Sequence, residues 1–193
     1  MLRVHHSEEE RKRTSDRAIL DATNPMQITI EPQPSAIARW KELQADPELT
    51  RWSGKIETDR LGRILMSPPP SLIHGSRQFK IARQLAALLP TGEVITECPL
   101  VTADGVKAID LAWLAEGRTE LSKGDLVLQI GPEICVEVLS PSNSPAEMDE
   151  KRALYFEVGA QEVWFCGLDG TMSFYTPELC DRSAVCPQFP GKV

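Results

Sequence analysis

Two acidic residues lie within apolar segments of the sequence, where carboxylates are uncommon. Asp110 lies in the segment AIDLAWL and Glu137 lies in the segment ICVEVL. Apolar residues on both sides of each acid are typical of strands that are buried on both faces. A carboxylate in such a strand is costly unless it is paired or binds a metal. Two such carboxylates on neighbouring strands predict a binding site for a hard cation that prefers oxygen ligands. The alternative is that each is a paired core acid or marks an edge strand that faces solvent.

Lys151 is the third residue that could act at such a site. Met148, Leu154 and Tyr155 lie three or four positions away, so Lys151 shares a helix side with apolar residues. This helix follows the Glu137 strand after a short loop. A lysine there could orient a water molecule or stabilise negative charge that develops on a phosphate. The alternative is a pair with an acid four residues earlier, Glu147, with the lysine stem packed on apolar neighbours.

His74 and Glu57 are further candidates for the same site. His74 opens a long helix directly after a triple proline, so it could point into a cleft or be a capping or surface residue. Glu57 lies in the first strand of a hairpin, where an exposed acid is ordinary. The sequence contains no P-loop, no dinucleotide-binding glycine motif, no nucleophile elbow and no H-E-x-x-H motif, so nothing supports other chemistry.

Composition and charge limit the kinds of partner that the protein is expected to bind. The chain has 193 residues, of which 41% are apolar and 25% charged, which suits one globular domain. The net charge of −7 disfavours a dedicated duplex binder, which usually presents a basic face to phosphates. The cluster of Arg77, Lys80 and Arg83 could contact phosphates or form a solvated helix face. Because no apolar run approaches the ~20 residues of a membrane span and no apolar signal region follows Met1, we expect a cytoplasmic protein without a membrane partner.

The chain divides into three segments. Residues 1–25 are polar and charged and are expected to be a disordered extension, with Met26 as an alternative start of translation to Met1. Residues 26–176 are expected to form the folded domain. Residues 177–193, which are rich in proline, are expected to form an irregular tail on the surface.

Helices and strands alternate within the expected domain. Helices are predicted over Ser35–Leu43, over Leu72–Leu89, and from a capping box at Ser144 to a stop at Gly159. The apolar face of the second helix is expected to comprise Phe79, Ala82, Leu85, Ala86 and Leu89. Strands are predicted on both sides of a turn at Asp59–Gly62, within residues 93–115, in the segment PEICVEVLS, and around a turn at Leu168–Gly170.

Two segments resemble a known protein family. The run PEICVEVLSPSNSPAEMDEKRALYFEVGAQEVWFC resembles the signature of the Uma-two family, a bacterial group assigned to the restriction-endonuclease-like PD-(D/E)XK superfamily. The run MSPPPSLIHG resembles that family's other hallmark, a proline-rich strand end followed by a helix that begins with histidine. The similarity covers roughly Ile56 to Tyr175. It implies an α/β fold with a restriction-endonuclease-like mixed central β-sheet flanked by helices, and a Mg²⁺-type site.

The resemblance also implies roles for individual residues. Asp110 matches the aspartate of the superfamily's first acidic motif, and Glu137 matches the acid of the second. The superfamily usually has a lysine two residues after that acid, where this chain has Leu139, and Lys151 on the following helix is the matching residue.

The other matches are less informative. His74 and Glu57 match recurrent family positions whose roles are less settled. Ile109 stands where the family commonly has proline; because that proline shapes the backbone and binds nothing, the change leaves the site intact.

Together these observations predict a metal-dependent endonuclease that hydrolyses phosphodiester bonds in DNA. Asp110 and Glu137 would hold Mg²⁺ or Mn²⁺, with a backbone carbonyl near Val138 as a further ligand. Lys151 would position or help activate the attacking water, and His74 could contact phosphate. A homodimer is an open alternative, since nucleases that cut both strands are commonly dimers. The rival hypothesis, favoured by the acidic balance, is a non-catalytic nuclease-fold module for binding or assembly.

Overall fold

A six-stranded mixed sheet organises residues 35–193, the part of the chain that the computed structural model describes. The extension expected over residues 1–25 and the domain start expected at residue 26 lie outside the described residues. In chain order the elements are α1 (Ala36–Ala45), a 3₁₀ turn (Leu49–Arg51), β1 (Ile56–Thr58), β2 (Ile64–Met66), α2 (Leu72–Leu88), β3 (Glu93–Thr102), β4 (Gly105–Leu114), α3 (Glu116–Leu121), β5 (Ile134–Val138), α4 (Pro145–Glu157), β6 (Glu162–Cys166), β7 (Met172–Tyr175) and β8 (Leu179–Cys180).

The strands of the large sheet follow one another in chain order, from β3 at one edge to β8 at the other. Neighbouring strands run antiparallel except β5 and β6, which are parallel because α4 returns the chain along the sheet. Strands β1 and β2 form a separate antiparallel hairpin around the predicted turn. The predicted fold class, an α/β fold with a mixed central sheet flanked by helices, is confirmed.

Both faces of the sheet are covered, so every residue of β4, β5 and β6 is buried. One face packs against α2 and the C-terminal segment (residues 177–193). Ile81 of α2 and Phe189 of this segment belong to the same core cluster as Trp164. The other face packs against α4 through Met148 and Tyr155. The strands that carry Asp110 and Glu137 are therefore central strands and not edge strands.

Helix α2 packs against the core through part of the face that its apolar pattern predicts. Three of the five expected residues lie against the core, namely Ala82, Leu85 and Leu89. Phe79, also expected there, is 67% exposed, and Ile81 is completely buried instead. Ile81 and Leu85 lie seven and eleven positions after His74, on the same helical face. The helix therefore turns His74 toward the sheet. Neither α2 nor any other helix within residues 35–193 is long and apolar enough to cross a membrane.

The C-terminal segment differs from the surface tail expected over residues 177–193. It adds the short strand β8 to the sheet edge, paired with β7. It also buries the side chains of Cys186 and Phe189 against the core. The segment therefore completes one face of the sheet.

A buried carboxylate fastens this segment to the sheet. Glu162, at the start of β6, accepts hydrogen bonds at Oε1 from the backbone N–H groups of Ala184 (2.6 Å) and Val185 (3.0 Å). Its Oε2 accepts from the Ser183 hydroxyl (2.6 Å) and from the indole N–H of Trp164 (2.7 Å). These four donors satisfy a charge that would otherwise be costly to bury.

Replacement of this carboxylate is expected to destabilise the fold. Glu162→Ala removes the common acceptor of four donors, so the free energy of unfolding should fall by ~3 kcal/mol, measured by urea denaturation. Glu178→Ala, at an exposed acid of the same segment, is the control and should change stability by less than ~0.5 kcal/mol. Equal effects of the two substitutions would contradict the anchoring role of Glu162.

Candidate active site

The backbone ladder between β4 and β5 ends one residue before it would reach the two predicted acids. Its last pair is Leu111 with Val136. The backbone N–H of Val138, beyond this pair, donates instead to Oδ2 of Asp110 at 2.7 Å. The carboxylate takes the place of a backbone acceptor, so it is held where the pairing of the two strands stops.

The pairing of β3 with β4 is also interrupted beside Asp110. The ladder skips Asp110 and Glu97, which would lie opposite each other, and Glu97 has a positive φ of 50°. The side chain of Gln78 on α2 bonds to both, since its Nε2 donates to the carbonyl of Asp110 at 2.7 Å and to Oε1 of Glu97 at 2.8 Å. Asp110 is therefore free of both neighbouring ladders, and irregular backbone of this kind is concentrated at functional sites of proteins.

Glu137 lies on β5 beside Asp110 and is almost fully enclosed. The hydroxyl of Tyr155 on α4 donates to its Oε1 at 2.5 Å. Its Oε2 lies 3.8 Å from Nζ of Lys55. Burial raises the pKa of Glu137 to about 7, although the positive charges of Lys151 and Lys55 act in the opposite direction.

An ammonium group lies between the two acids. Nζ of Lys55, which directly precedes β1, is 2.5 Å from Oδ1 of Asp110. Burial lowers the pKa of Lys55, but the carboxylates of Glu137 and Asp110 more than offset this and raise it well above its ordinary value. Burial also raises the pKa of Asp110, but the His74 imidazole and the Lys55 ammonium outweigh it and lower that pKa well below its usual range. Asp110 and Lys55 therefore form a buried ion pair.

Lys151 reaches Glu137 from the side of α4. Its Nζ donates to Oε1 of Glu57 at 2.9 Å and lies 3.9 Å from Oε1 of Glu137. Glu57 also accepts from the backbone N–H of Ala108 at 3.1 Å, and its side chain is only 12% exposed. The expectation of an ordinary exposed acid at Glu57 is therefore wrong. Glu147, the alternative partner considered for Lys151, closes the predicted capping box at the start of α4.

His74 lies in the first turn of α2 with its ring near Asp110. Ser71 caps the helix by accepting a hydrogen bond from the backbone N–H of His74 at 3.2 Å. The imidazole Nε2 lies 3.5 Å from Oδ2 of Asp110, and hydrogen bonding to this carboxylate raises the pKa of His74. The structure therefore brings His74 together with Asp110, and Val138 contributes its N–H to the same carboxylate.

Lys55 and Tyr155 contact the two acids but are not among the site residues that the sequence predicts. Lys55 and Glu57 are two positions apart, so the alternation of side chains along an extended segment places them on one side. Tyr155 follows Lys151 by four positions and shares its helical face. Both spacings are present in the sequence, but neither distinguishes a site residue from an ordinary surface or core residue.

A cleft of about 920 Å³ is lined by the charged cluster, which consists of Lys55, Glu57, His74, Asp110, Glu137 and Lys151. The walls come from α1, the segment that leads into β1, the loop between β2 and α2, and the loop that follows β5. Apolar side chains, including Trp40, Trp52 and Ile73, form part of these walls. A cleft of this size, with apolar walls and a few convergent charged groups, is typical of a binding or catalytic site.

The donor atoms of the cluster fit a hard divalent cation. Oδ1 of Asp110 and Oε2 of Glu137 both approach the Lys55 ammonium, so a positive charge already stands between them. Within residues 35–193, no three or more His, Cys, Asp or Glu side chains are grouped as ligands for one ion. An ion held here would therefore have two carboxylates and otherwise backbone oxygen or water, a coordination that suits Mg²⁺.

The mixed sheet, with a buried acidic pair where two central strands stop pairing, defines a nuclease-like α/β protein. The chain belongs to the Uma2 family, described as "Putative restriction endonuclease", which matches residues 39–184. The fold resembles the crystal structure of a "putative nuclease belonging to DUF820" from Anabaena variabilis, with a TM-score of 0.55 and 19% identity, over 70% of this chain and 73% of that chain. No curated protein matches the chain. The family resemblance found in the sequence is confirmed.

The raised pKa of Glu137 predicts a pH-dependent contribution to stability. The folded protein keeps a proton on Glu137 up to about pH 7, whereas an unperturbed glutamate releases it near pH 4.5. Between these values the folded state binds more protons than the unfolded state, so this contribution to the free energy of unfolding falls as the pH rises. Relative to Glu137→Gln, the wild type should lose on the order of 3 kcal/mol across this range.

Urea denaturation of both proteins across this pH range, with a chelator present, measures the difference. Glu93→Gln, at an exposed acid on β3, is the control and should follow the wild-type profile. If the profiles of the wild type and Glu137→Gln run parallel, Glu137 titrates like an exposed glutamate and the prediction is wrong.

Proposed function

We propose that this protein is a metal-dependent endonuclease that hydrolyses phosphodiester bonds in DNA. The observation that carries the proposal is the convergence of Asp110, Glu137 and Lys151 on one cleft, from β4, β5 and α4 respectively. Two carboxylates and an ammonium group are suited to hydrolysis of a phosphodiester with the aid of a divalent ion. Membership of a family described in terms of restriction endonucleases supports the reaction class and the choice of DNA.

In this proposal Asp110 and Glu137 hold Mg²⁺ or Mn²⁺, with the backbone carbonyl of Val138 as a further ligand. Such an ion supplies polarisation of the phosphate and lowers the pKa of a coordinated water. The protein orients the two ligand side chains in advance. The Val138 N–H engages Oδ2 of Asp110 and the Tyr155 hydroxyl engages Oε1 of Glu137, which leaves Oδ1 and Oε2 for a cation.

Lys151 positions the attacking water in this proposal. Its ammonium has three N–H donors, and one of them is used by Glu57. Glu57 is itself fixed by the backbone N–H of Ala108, so it sets the direction of the ammonium. A remaining donor can orient a water or stabilise charge on the phosphate. His74, at the start of α2, contacts a phosphate oxygen.

The second candidate, a non-catalytic nuclease-fold module for binding or assembly, is favoured by the net charge of −7. The buried cluster favours the enzyme instead. A binding module gains nothing from the desolvation of Asp110, Glu137 and Lys151 at one point, since a buried ion pair adds little stability compared with apolar packing.

Cleavage of supercoiled plasmid in the presence of Mg²⁺ or Mn²⁺ tests the proposal. We expect the wild type to cut the plasmid and a chelator to abolish cutting. Glu137→Ala and Lys151→Ala should each lower the rate by ~100-fold or more, because each removes a group that acts on the ion or the water. Lys123→Ala removes an exposed lysine that pairs with Glu120, and as the matched control it should keep the wild-type rate.

Each other outcome has a defined meaning. Cutting that persists in Glu137→Ala and Lys151→Ala would identify a contaminating nuclease and refute the proposal. Folded protein that binds a divalent ion but cuts no plasmid would point to a more specialised nucleic acid substrate. Folded protein that binds no ion would favour the non-catalytic module. Linear product formed without a nicked intermediate would support a homodimer that cuts both strands.

A further inference from the structure

Lys55, which is outside the proposed catalytic set, occupies the space between the two acids. Its Nζ lies 2.5 Å from Oδ1 of Asp110 and 3.8 Å from Oε2 of Glu137. The second oxygen of each acid is engaged elsewhere, by the Val138 N–H and by the Tyr155 hydroxyl. The ammonium therefore contacts the same two oxygens that are left to hold an ion.

We propose that Lys55 is the internal counter-ion of the acidic pair, and that its ammonium and a divalent cation exclude each other from this position. The inference rests on the proposed metal site. Mg²⁺ needs its ligand oxygens at ~2.0–2.1 Å, and an ammonium hydrogen-bonded to Oδ1 of Asp110 occupies the space that such an ion requires. The Lys55 side chain must move before the ion can bind to both acids.

The charges of the cluster lead to the same conclusion. Three carboxylates, from Glu57, Asp110 and Glu137, lie beside the two ammonium groups of Lys55 and Lys151. With all five ionised, which requires Glu137 to have released its proton, and with His74 neutral, one net negative charge remains, which under-compensates a divalent ion in a buried site. When the Lys55 ammonium leaves, two negative charges remain, and these balance the ion.

The displaced ammonium has a second counter-ion available. Lys55 lines the cleft and carries its charge on a flexible four-carbon stem. A phosphate placed in the cleft would lie within reach of this stem. In this proposal Lys55 therefore also contacts the substrate, since its release by the ion makes a positive charge available for the phosphate.

Isothermal titration calorimetry with MnCl₂ alone tests the competition. Lys55→Gln removes the competing charge and should tighten Mn²⁺ binding about tenfold or more, the size expected for release of one charged hydrogen bond. Lys55→Arg keeps the charge and should bind no more tightly than the wild type. Lys151→Gln removes the same charge from the same cluster without vacating the space between the acids, so it should tighten binding less than Lys55→Gln.

Chemical labelling of the wild type provides a second measurement that needs no variant. Reductive methylation, read by peptide mass spectrometry, reports the accessibility of each lysine amine. Lys55 should react slowly without metal, because its ammonium is ion-paired and its side chain is 18% exposed. At saturating Mn²⁺ it should react several-fold faster, while the exposed Lys123 reacts equally in both states.

The results separate this inference from the proposed function. The inference is supported if Lys55→Gln binds Mn²⁺ more tightly than both the wild type and Lys151→Gln. This holds also when binding of Mn²⁺ by the wild type is too weak to measure. Equal or weaker binding by folded Lys55→Gln overturns it and leaves the metal site intact. No binding in the wild type or in either Lys55 variant overturns the metal site and the inference together. If Lys55→Gln does not fold, unchanged reactivity of Lys55 at saturating Mn²⁺ overturns the inference.

Discussion

The hydrogen bond from the backbone N–H of Val138 to Oδ2 of Asp110 is the interaction on which the site depends. The strands β4 and β5 pair as far as Leu111 and Val136, and beyond that point the carboxylate replaces a backbone acceptor. A buried N–H is thereby satisfied, and the acid is fixed by two strands at once. Because Glu137 directly precedes Val138, one interruption of the ladder places both acids at the edge of the same cleft.

Neighbouring carboxylates in this site differ in protonation because their partners differ. Asp110 is bonded to the His74 imidazole and forms a direct ion pair with Lys55, and these two partners hold it ionised despite its burial. Glu137 is bonded to a neutral donor, Tyr155, and its nearest ammonium groups are more distant, so burial raises its pKa. A difference in pKa between two neighbouring acids is the usual sign that their environment, and not the residue type, determines which of them is ionised.

The sequence predicts the acids of this site better than the groups that neutralise them. Asp110 and Glu137 stand out because charges are rare in buried strands, and the family resemblance supplies Lys151 and the fold. A lysine at the start of a hairpin, such as Lys55, is ordinary, and only the packing of β1 beside β4 brings its ammonium to the acids. The core-facing side of α2 is predicted only in part for a similar reason. Leu85 is buried, as its spacing indicates, but the spacing does not show that Phe79 faces solvent and that Ile81 faces the core.

The anchoring of the C-terminal segment bears on how the chain can fold during synthesis. The residues that close one face of the sheet, including Phe189, whose ring lies 4.8 Å from that of Trp164, are translated after every strand of that sheet. Until they leave the ribosome, Trp164 has an uncovered apolar face and Glu162 lacks most of its donors. A nascent chain would therefore expose this hydrophobic surface from the synthesis of β6 until residues 183–189 are free to pack, and it is the kind of surface that chaperones bind.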